Sequence, residues 1–191
     1  MNLIEQAAAE GVQGFLHPAE LEMLMELARG HDVLEIGAFK GLSCWGMAQT
    51  ARHVWSCDTH RAATNGQRQT TEEEWDKEGC TTLSAFRAAT ARFDNVTCFV
   101  GTSEEAARAG NSVIAVEYDM VFIDAMHDYE NVLADLKRWW PRVREGGILA
   151  CHDHGHGDFP GVELAWDRFF IDRSLEPMPF EKIVTLAWVT K

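Results

Sequence analysis

Two stretches of the chain place acids and imidazoles where apolar runs end. YDMVFIDAMHDYE carries Asp124 at the close of its apolar run with His127 just after it, and GGILACHDHGHGD closes on His152 and Asp153, followed by His154, His156 and Asp158. In an open parallel sheet, neighbouring strand ends open on one crevice, so the carboxylates of Asp124 and Asp153 can approach each other. Such a pair invites a divalent cation. Carboxylate oxygens with water suit magnesium, whereas an added imidazole favours manganese, iron or zinc. The competing reading makes His154 and His156 a solvated loop and Asp153 the cap of the following helix.

A second constellation lies upstream. In VLEIGAFKGLS, from Val33 to Ser43, an apolar run meets Glu35, and Gly37 and Gly41 complete an E-x-G-x-x-x-G turn. Bare backbone between a strand and a helix N-terminus lets a ligand lie against the chain. A dinucleotide site would carry G-x-G-x-x-G for its pyrophosphate, and this turn does not. A carboxylate beside the turn suits a ligand with an ammonium group and no phosphate, and S-adenosylmethionine is such a ligand. Close packing alone would also account for the glycines. The next run, HVWSCDTH, ends in Asp58 about twenty residues after Gly37, where doubly wound folds put the acid that accepts hydrogen bonds from ribose. A third, NVTCFVGTSEEA, ends in Gly101 and Ser103, which bring backbone amides and a small hydroxyl to the same edge. Ser103 also fits a helix N-cap with Glu104 or Glu105 in the first turn.

These residues need a scaffold, and the pattern between them supplies one. Leu21, Leu24, Met25 and Ala28 recur at helical spacing from Pro18 to Arg29, and Gly30 ends that helix. Strand-like runs follow at Val33–Ile36, Val54–Cys57, Val96–Val100, Met120–Ile123 and Ile148–Cys151, with helical patterns between most of them. This alternation predicts an α/β fold with a mostly parallel sheet and helices on both faces. From Tyr129 to Trp140, the residues Tyr129, Val132, Leu133, Leu136 and Trp140 form one stripe opposite Asp135, Lys137 and Arg138, and a further helix spans Gly161 to Ile171. The alternating run Ile183 to Val189 predicts an antiparallel edge strand. The polar stretch Arg61 to Thr82, with Glu72, Glu73 and Glu74 ahead of Trp75, reads as a lid or binding loop, or equally as a solvated insertion.

At 191 residues, with 46% hydrophobic and 25% charged residues, the chain reads as a single domain spanning residues 1–191. A formal net charge of −13 argues against nucleic acid as a partner, because phosphate backbones are repelled. Five cysteines without a C-x-x-C pair read as reduced thiols of a cytoplasmic protein, and no long apolar span predicts a membrane partner.

From Val33 to Phe170 the chain resembles class I S-adenosylmethionine-dependent methyltransferases. It is most similar to the small group that includes sugar O-methyltransferases of macrolide biosynthesis, and more distantly to catechol O-methyltransferase. VLEIGAFKGLS, the acid at Asp58, GTSEE and FIDAMHDYENVLADLKRWWPRVREGGILACHD carry the resemblance. It implies a Rossmann-like, seven-stranded sheet. S-adenosylmethionine would lie with its methionine moiety along the turn from Glu35 through Gly37, Phe39 and Gly41 to Ser43, its ribose on Asp58, and its adenine near Gly101 and Ser103, with Asp124 close by. Asp124 and Asp153 would fall on metal-binding positions, with His152 a neighbouring candidate, for magnesium, manganese or zinc. The catechol enzyme has a lysine base after its first metal-binding aspartate, and His127 stands at that place here.

The mechanism so implied is metal-assisted O-methylation of a small-molecule hydroxyl. The sulfonium methyl is already activated, a cation acidifies the acceptor hydroxyl, and His127, with an unperturbed pKa near ~6.5, takes the proton. His127 as a cap or packing residue of the Tyr129 helix is the structural alternative. A metal-dependent hydrolase, a metal-binding module or a non-catalytic cofactor-binding scaffold would use the same fold.

Overall fold

The computed structural model describes residues 2–61, 82–109, 117–171 and 180–191. Its strands are β1 (Asp32–Ile36), β2 (His53–Asp58), β3 (Val96–Val100), β4 (Tyr118–Ile123), β5 (Val143–Cys151), β6 (Glu181–Ile183) and β7 (Leu186–Thr190). The helices are α1 (Leu3–Ala9), α2 (Pro18–Leu27), α3 (Leu42–Ala48), α4 (Leu83–Thr90), α5 (Ser103–Ala109), α6 (Tyr129–Trp139) and α7 (Pro160–Ile171). All five apolar runs are strands, and β5 starts five residues ahead of its run.

The seven strands form one sheet in the order β3-β2-β1-β4-β5-β7-β6. The first five are parallel, with Ile36 beside Ile123 and Ile123 beside Cys151, so the chain ends of β1, β4 and β5 finish level. Alternation along β4 divides the core into two layers. Val121 and Ile123 pack with Val132, Leu136 and Trp139 of α6 and Trp166 and Phe169 of α7. Met120 and Phe122 pack on the other face with Leu24 of α2, Met47 of α3 and Phe86 of α4. Truncating a fully buried aromatic such as Trp139 to alanine would cost about 3–5 kcal/mol.

Two expectations change here. The terminal run is a hairpin rather than one edge strand: it breaks at Val184, whose φ of +52° lies in the left-handed region, so β7 pairs with β5 and β6 becomes the edge. Asp135 is not on a solvated face of α6 but is buried, with Arg138 and Ser103 as partners. The stretch Arg61 to Thr82, with Glu72 to Trp75, lies outside the described residues except at its ends. Cys44, Cys57, Cys98 and Cys151 are free thiols, and no helix among the described residues is long and apolar enough to cross a membrane.

Candidate active site

Backbone hydrogen bonds carry the sheet one step past its strands and line up the residues that follow. Gly37 N donates to Cys57 O at 2.9 Å, Asp124 N to Ile36 O at 2.8 Å, His152 N to Ile123 O at 3.0 Å and Gly101 N to Asp58 O at 3.0 Å. The strand order reverses between β1 and β4, where open α/β sheets leave a crevice. A cavity of about 1000 Å³ opens there.

One half of this cavity is built on the glycine turn. Gly37 has φ +91°, and a Cβ on it would meet the Asp124 carbonyl oxygen at 2.0 Å. Its bareness therefore serves the close approach of β1 to the end of β4. Gly41 begins α3 with φ +96° and faces Phe86 and Ala89 rather than the cavity. Between them, Asp58 Oδ2 accepts from the amides of Ala38 at 2.7 Å and Phe39 at 2.8 Å, while Oδ1 accepts from His60 N at 2.6 Å. Asp58, Phe39 and Ser43 line the cavity.

Glu35 stands behind that wall. It is fully buried, and its two carboxyl oxygens accept from the hydroxyls of Ser43 and Ser56 at 2.5 Å each. Burial raises its pKa to about 7, against the pull of the two hydroxyls, with the charges of Asp124 and Asp58 adding to the rise.

Beyond β3, Gly101 and Ser103 also line the cavity. The cap of α5 is Thr102 rather than Ser103: its hydroxyl accepts from Glu105 N at 3.1 Å, and Glu105 returns by accepting from Thr102 N at 2.8 Å. The Ser103 hydroxyl is thereby released to donate to Asp135, and it accepts from Trp139 Nε1 at 2.8 Å and Arg138 at 3.1 Å.

The other half is an alternation of imidazoles and carboxylates. His127 Nε2 lies 3.0 Å from Asp153 Oδ2 and 3.8 Å from Asp124 Oδ1. His152 Nδ1 lies 3.4 Å from Asp124 Oδ1 and 3.3 Å from Asp153 Oδ2. Burial would lower the pKa of His127, but the two carboxylates hold it protonated up to about 9, and they raise that of His152 well above the ordinary imidazole range. In return, although burial opposes ionisation, the imidazoles hold Asp124 and Asp153 below the usual carboxylate range. One ligand atom each from Asp124, His152 and Asp153 lie within 4.8 Å of one another. That donor set fits a divalent cation, whose charge would replace that of the imidazolium protons.

His127 does not cap the next helix. Asp128 does, accepting from Asn131 N at 3.0 Å, and the His127 ring is stacked on Phe159 with centroids 4.2 Å apart. Nor does Asp153 cap a helix: it holds φ +60° after β5, a left-handed conformation that costs a non-glycine residue about 1–3 kcal/mol.

With this geometry established, residues 34–154 match the sequence pattern of a known family described as a methyltransferase domain. The chain belongs to that methyltransferase family. The match agrees with the resemblance to class I S-adenosylmethionine-dependent methyltransferases carried by the sequence motifs. Curated proteins give no sequence match. Among solved structures, the O-methyltransferase NovP aligns over 90% of this chain and 79% of its own with TM-score 0.69 and 15% identity. An O-methyltransferase from Bacillus cereus in complex with SAH covers 99% of this chain and 89% of its own, with TM-score 0.63 and 19% identity. TomG from Streptomyces achromogenes, an O-methyltransferase involved in tomaymycin synthesis and solved with SAM, covers 93% and 82%, with TM-score 0.64 and 17% identity. At these identities the likeness establishes the Rossmann-like fold.

In this methyltransferase the fold gathers Gly37, Phe39, Ser43, Asp58, Gly101, Ser103, Asp124, His127, His152 and Asp153 around one cavity, and leaves Glu35 and Gly41 behind its wall. His156 lines it too, its Nδ1 accepting from Asp158 N at 3.2 Å, whereas His154 is buried against Trp166 and Phe180. Sequence reasoning missed Glu20. Its Oε2 lies 3.1 Å from His152 Nε2 and accepts from His17 N at 2.9 Å, while Oε1 accepts from the Thr185 amide and hydroxyl at 2.8 and 2.7 Å. Burial works against its charge, but His152 and these donors lower its pKa to about 2. The sequence cue was a capping box, Glu20 three residues after the N-cap His17 with Pro18 at the first helical position, and with histidine in place of the usual serine or threonine.

Proposed function

We propose that this methyltransferase moves a methyl group from S-adenosylmethionine to a hydroxyl of a small molecule, assisted by a divalent cation. The observation that carries the reading is the double position of Asp124. Its backbone packs on Gly37 of the donor half, and its carboxylate belongs to the cluster with His127, His152 and Asp153. Donor and acceptor chemistry thus meet at one residue. The solved relatives named as O-methyltransferases, two of them with SAH or SAM bound, support the same assignment.

In this reading the donor lies along Gly37, Ala38 and Phe39, with Asp58 toward the ribose, Gly101 and Ser103 toward the adenine, and Ser43 toward the methionine part. Glu35 and Gly41 act through the turn they support. A cation held by Asp124, Asp153 and His152 would supply charge that lowers the pKa of a bound hydroxyl. His127 receives the hydroxyl proton at Nε2 as the neutral imidazole: the proton that Asp153 and Asp124 hold on the ring would first leave to solvent when a cation takes up those carboxylates. The acceptor oxygen forms a bond to the methyl carbon, the carbon–sulfur bond breaks, and the sulfonium leaves as a neutral thioether. Phe159, stacked on His127, covers the base from one side.

The test is titration of the purified protein with S-adenosylmethionine by calorimetry, followed by a hydroxyl-acceptor panel with magnesium or manganese in which demethylated cofactor is counted. Micromolar or tighter donor binding and cation-dependent turnover are expected. Asp124→Asn with Asp153→Asn should abolish cation binding and leave most donor affinity. A protein that ignores the donor overturns the assignment.

A further inference from the structure

Glu20 comes from the far end of the sequence, 132 residues before His152, and uses all of its acceptor capacity at one place. Oε1 is held by the amide and hydroxyl of Thr185, in the turn between β6 and β7, and Oε2 by the amide of His17 and by His152 Nε2. The carboxylate has only 2% of its surface exposed, as an anion whose donors leave it one orientation. A neutral imidazole, the form that ligates a cation, has its lone pair at Nδ1 when it donates Nε2–H to such a group. That atom faces Asp124 Oδ1 at 3.4 Å and Asp153 Oδ2 at 3.3 Å.

We infer that Glu20 is a positioning residue which fixes the tautomer of His152, and that this makes the cluster a mixed nitrogen–oxygen site selecting a transition ion such as manganese, iron or zinc over magnesium. The inference rests on the cation reading above. Magnesium favours oxygen ligands and retained water, so one enforced imidazole among two carboxylates moves the preference toward borderline ions. Partners behind a metal-ligating histidine are typically worth about 10- to 100-fold in metal affinity. The β6–β7 hairpin and the N-terminus of α2 take on a role here, since they hold Glu20 in place without touching the cation.

The experiment uses the full chain, stripped with chelator, and titrates magnesium, manganese and zinc chlorides separately by calorimetry, with S-adenosylmethionine titrated as a control. The wild type should bind manganese more tightly than magnesium by at least about tenfold. Glu20→Gln should weaken manganese binding about 10- to 100-fold while donor affinity stays unchanged. Glu20 also completes the N-terminal capping box of α2, so a second variant avoids that helix: His152→Asn puts a neutral amide oxygen at the Nδ1 position and should shrink the manganese-to-magnesium affinity ratio about tenfold. Partial unfolding does not move that ratio. Unchanged manganese affinity in Glu20→Gln, or an unchanged ratio in His152→Asn, overturns the inference alone. A wild type that binds none of the three ions overturns the cation reading and the inference together, and donor binding is then judged by its own titration.

Discussion

The carbonyl oxygen of Asp124 occupies the space that a side chain on Gly37 would need, 2.0 Å from where its Cβ would stand. The two halves of the site are locked together by backbone, which has little freedom to retreat. Gly37→Ala adds this clash to a left-handed φ of +91°, whereas Gly41→Ala, at φ +96°, meets the Phe86 and Ala89 side chains at 3.1 and 3.3 Å and the Phe86 backbone at an ordinary 3.5 Å. The left-handed conformation alone costs an alanine about 1–2 kcal/mol. Denaturant unfolding should show roughly that loss in Gly41→Ala and a larger one in Gly37→Ala, with donor binding abolished. Equal losses in the two variants would mean that the Asp124 backbone moves aside.

The reach of sequence reading divides along the same line. Strand ends were legible, because apolar runs stop at Asp58, Gly101, Asp124 and His152, and the βα alternation announces a mostly parallel sheet; the strand order comes from the structure. The function of the glycines was legible only in part: the turn was visible, but the backbone of Asp124 packed against Gly37 was not, since it comes from a strand nearly ninety residues away. Glu20 and Asp135 escaped for a related reason. Each is an acid on a helix whose spacing reads as solvated surface, and only tertiary contacts with His152 and Ser103 make it part of the site. At the end of the chain the antiparallel pairing was legible but the turn was not, because the apolar alternation runs through Val184 without a glycine or proline to announce it.

Asp58 supports the turn and faces the cavity, so its loss should act twice. Removing it frees the amides of Ala38 and Phe39 from their acceptor and takes away the ribose partner proposed above. Hydrogen bonds to a charged group are worth about 1.5–3 kcal/mol each, so Asp58→Ala should weaken S-adenosylmethionine binding by roughly ten- to a hundredfold or more. Calorimetric titration of the variant checks this, and an unchanged affinity would exclude Asp58 from the donor site.

For His127 the decisive contrast is between turnover and folding. Asp128 caps α6 and His127 Nδ1 is buried without a hydrogen-bond partner, so the ring contributes little to the helix. His127→Ala should reduce turnover by about 10² to 10⁴ with donor affinity intact. Steady-state rates per folded molecule decide it. A variant that loses stability while each folded molecule turns over normally would return His127 to a packing role against Phe159.

Glu35 gives the methyltransferase a pH dependence whose sign follows from its burial. Desolvation raises its folded pKa to about 7, while the hydroxyls of Ser43 and Ser56 only partly oppose it, and the ordinary value for the exposed group is 4.5. The folded state therefore holds the proton more tightly than the unfolded chain. Its contribution to stability is complete below about pH 4.5 and is lost progressively as pH rises to about 7, where the buried carboxylate ionises. That difference corresponds to about 3 kcal/mol at most. Glu35→Gln stays neutral throughout and keeps an oxygen for one serine hydroxyl. Denaturant unfolding from pH 5 to pH 8 should thus show the variant gaining on the wild type as pH increases, chiefly between pH 5 and 7. If the two lines run parallel across that window, Glu35 is ionised in the folded protein at every pH tested, and Ser43 and Ser56 suffice to hold its charge.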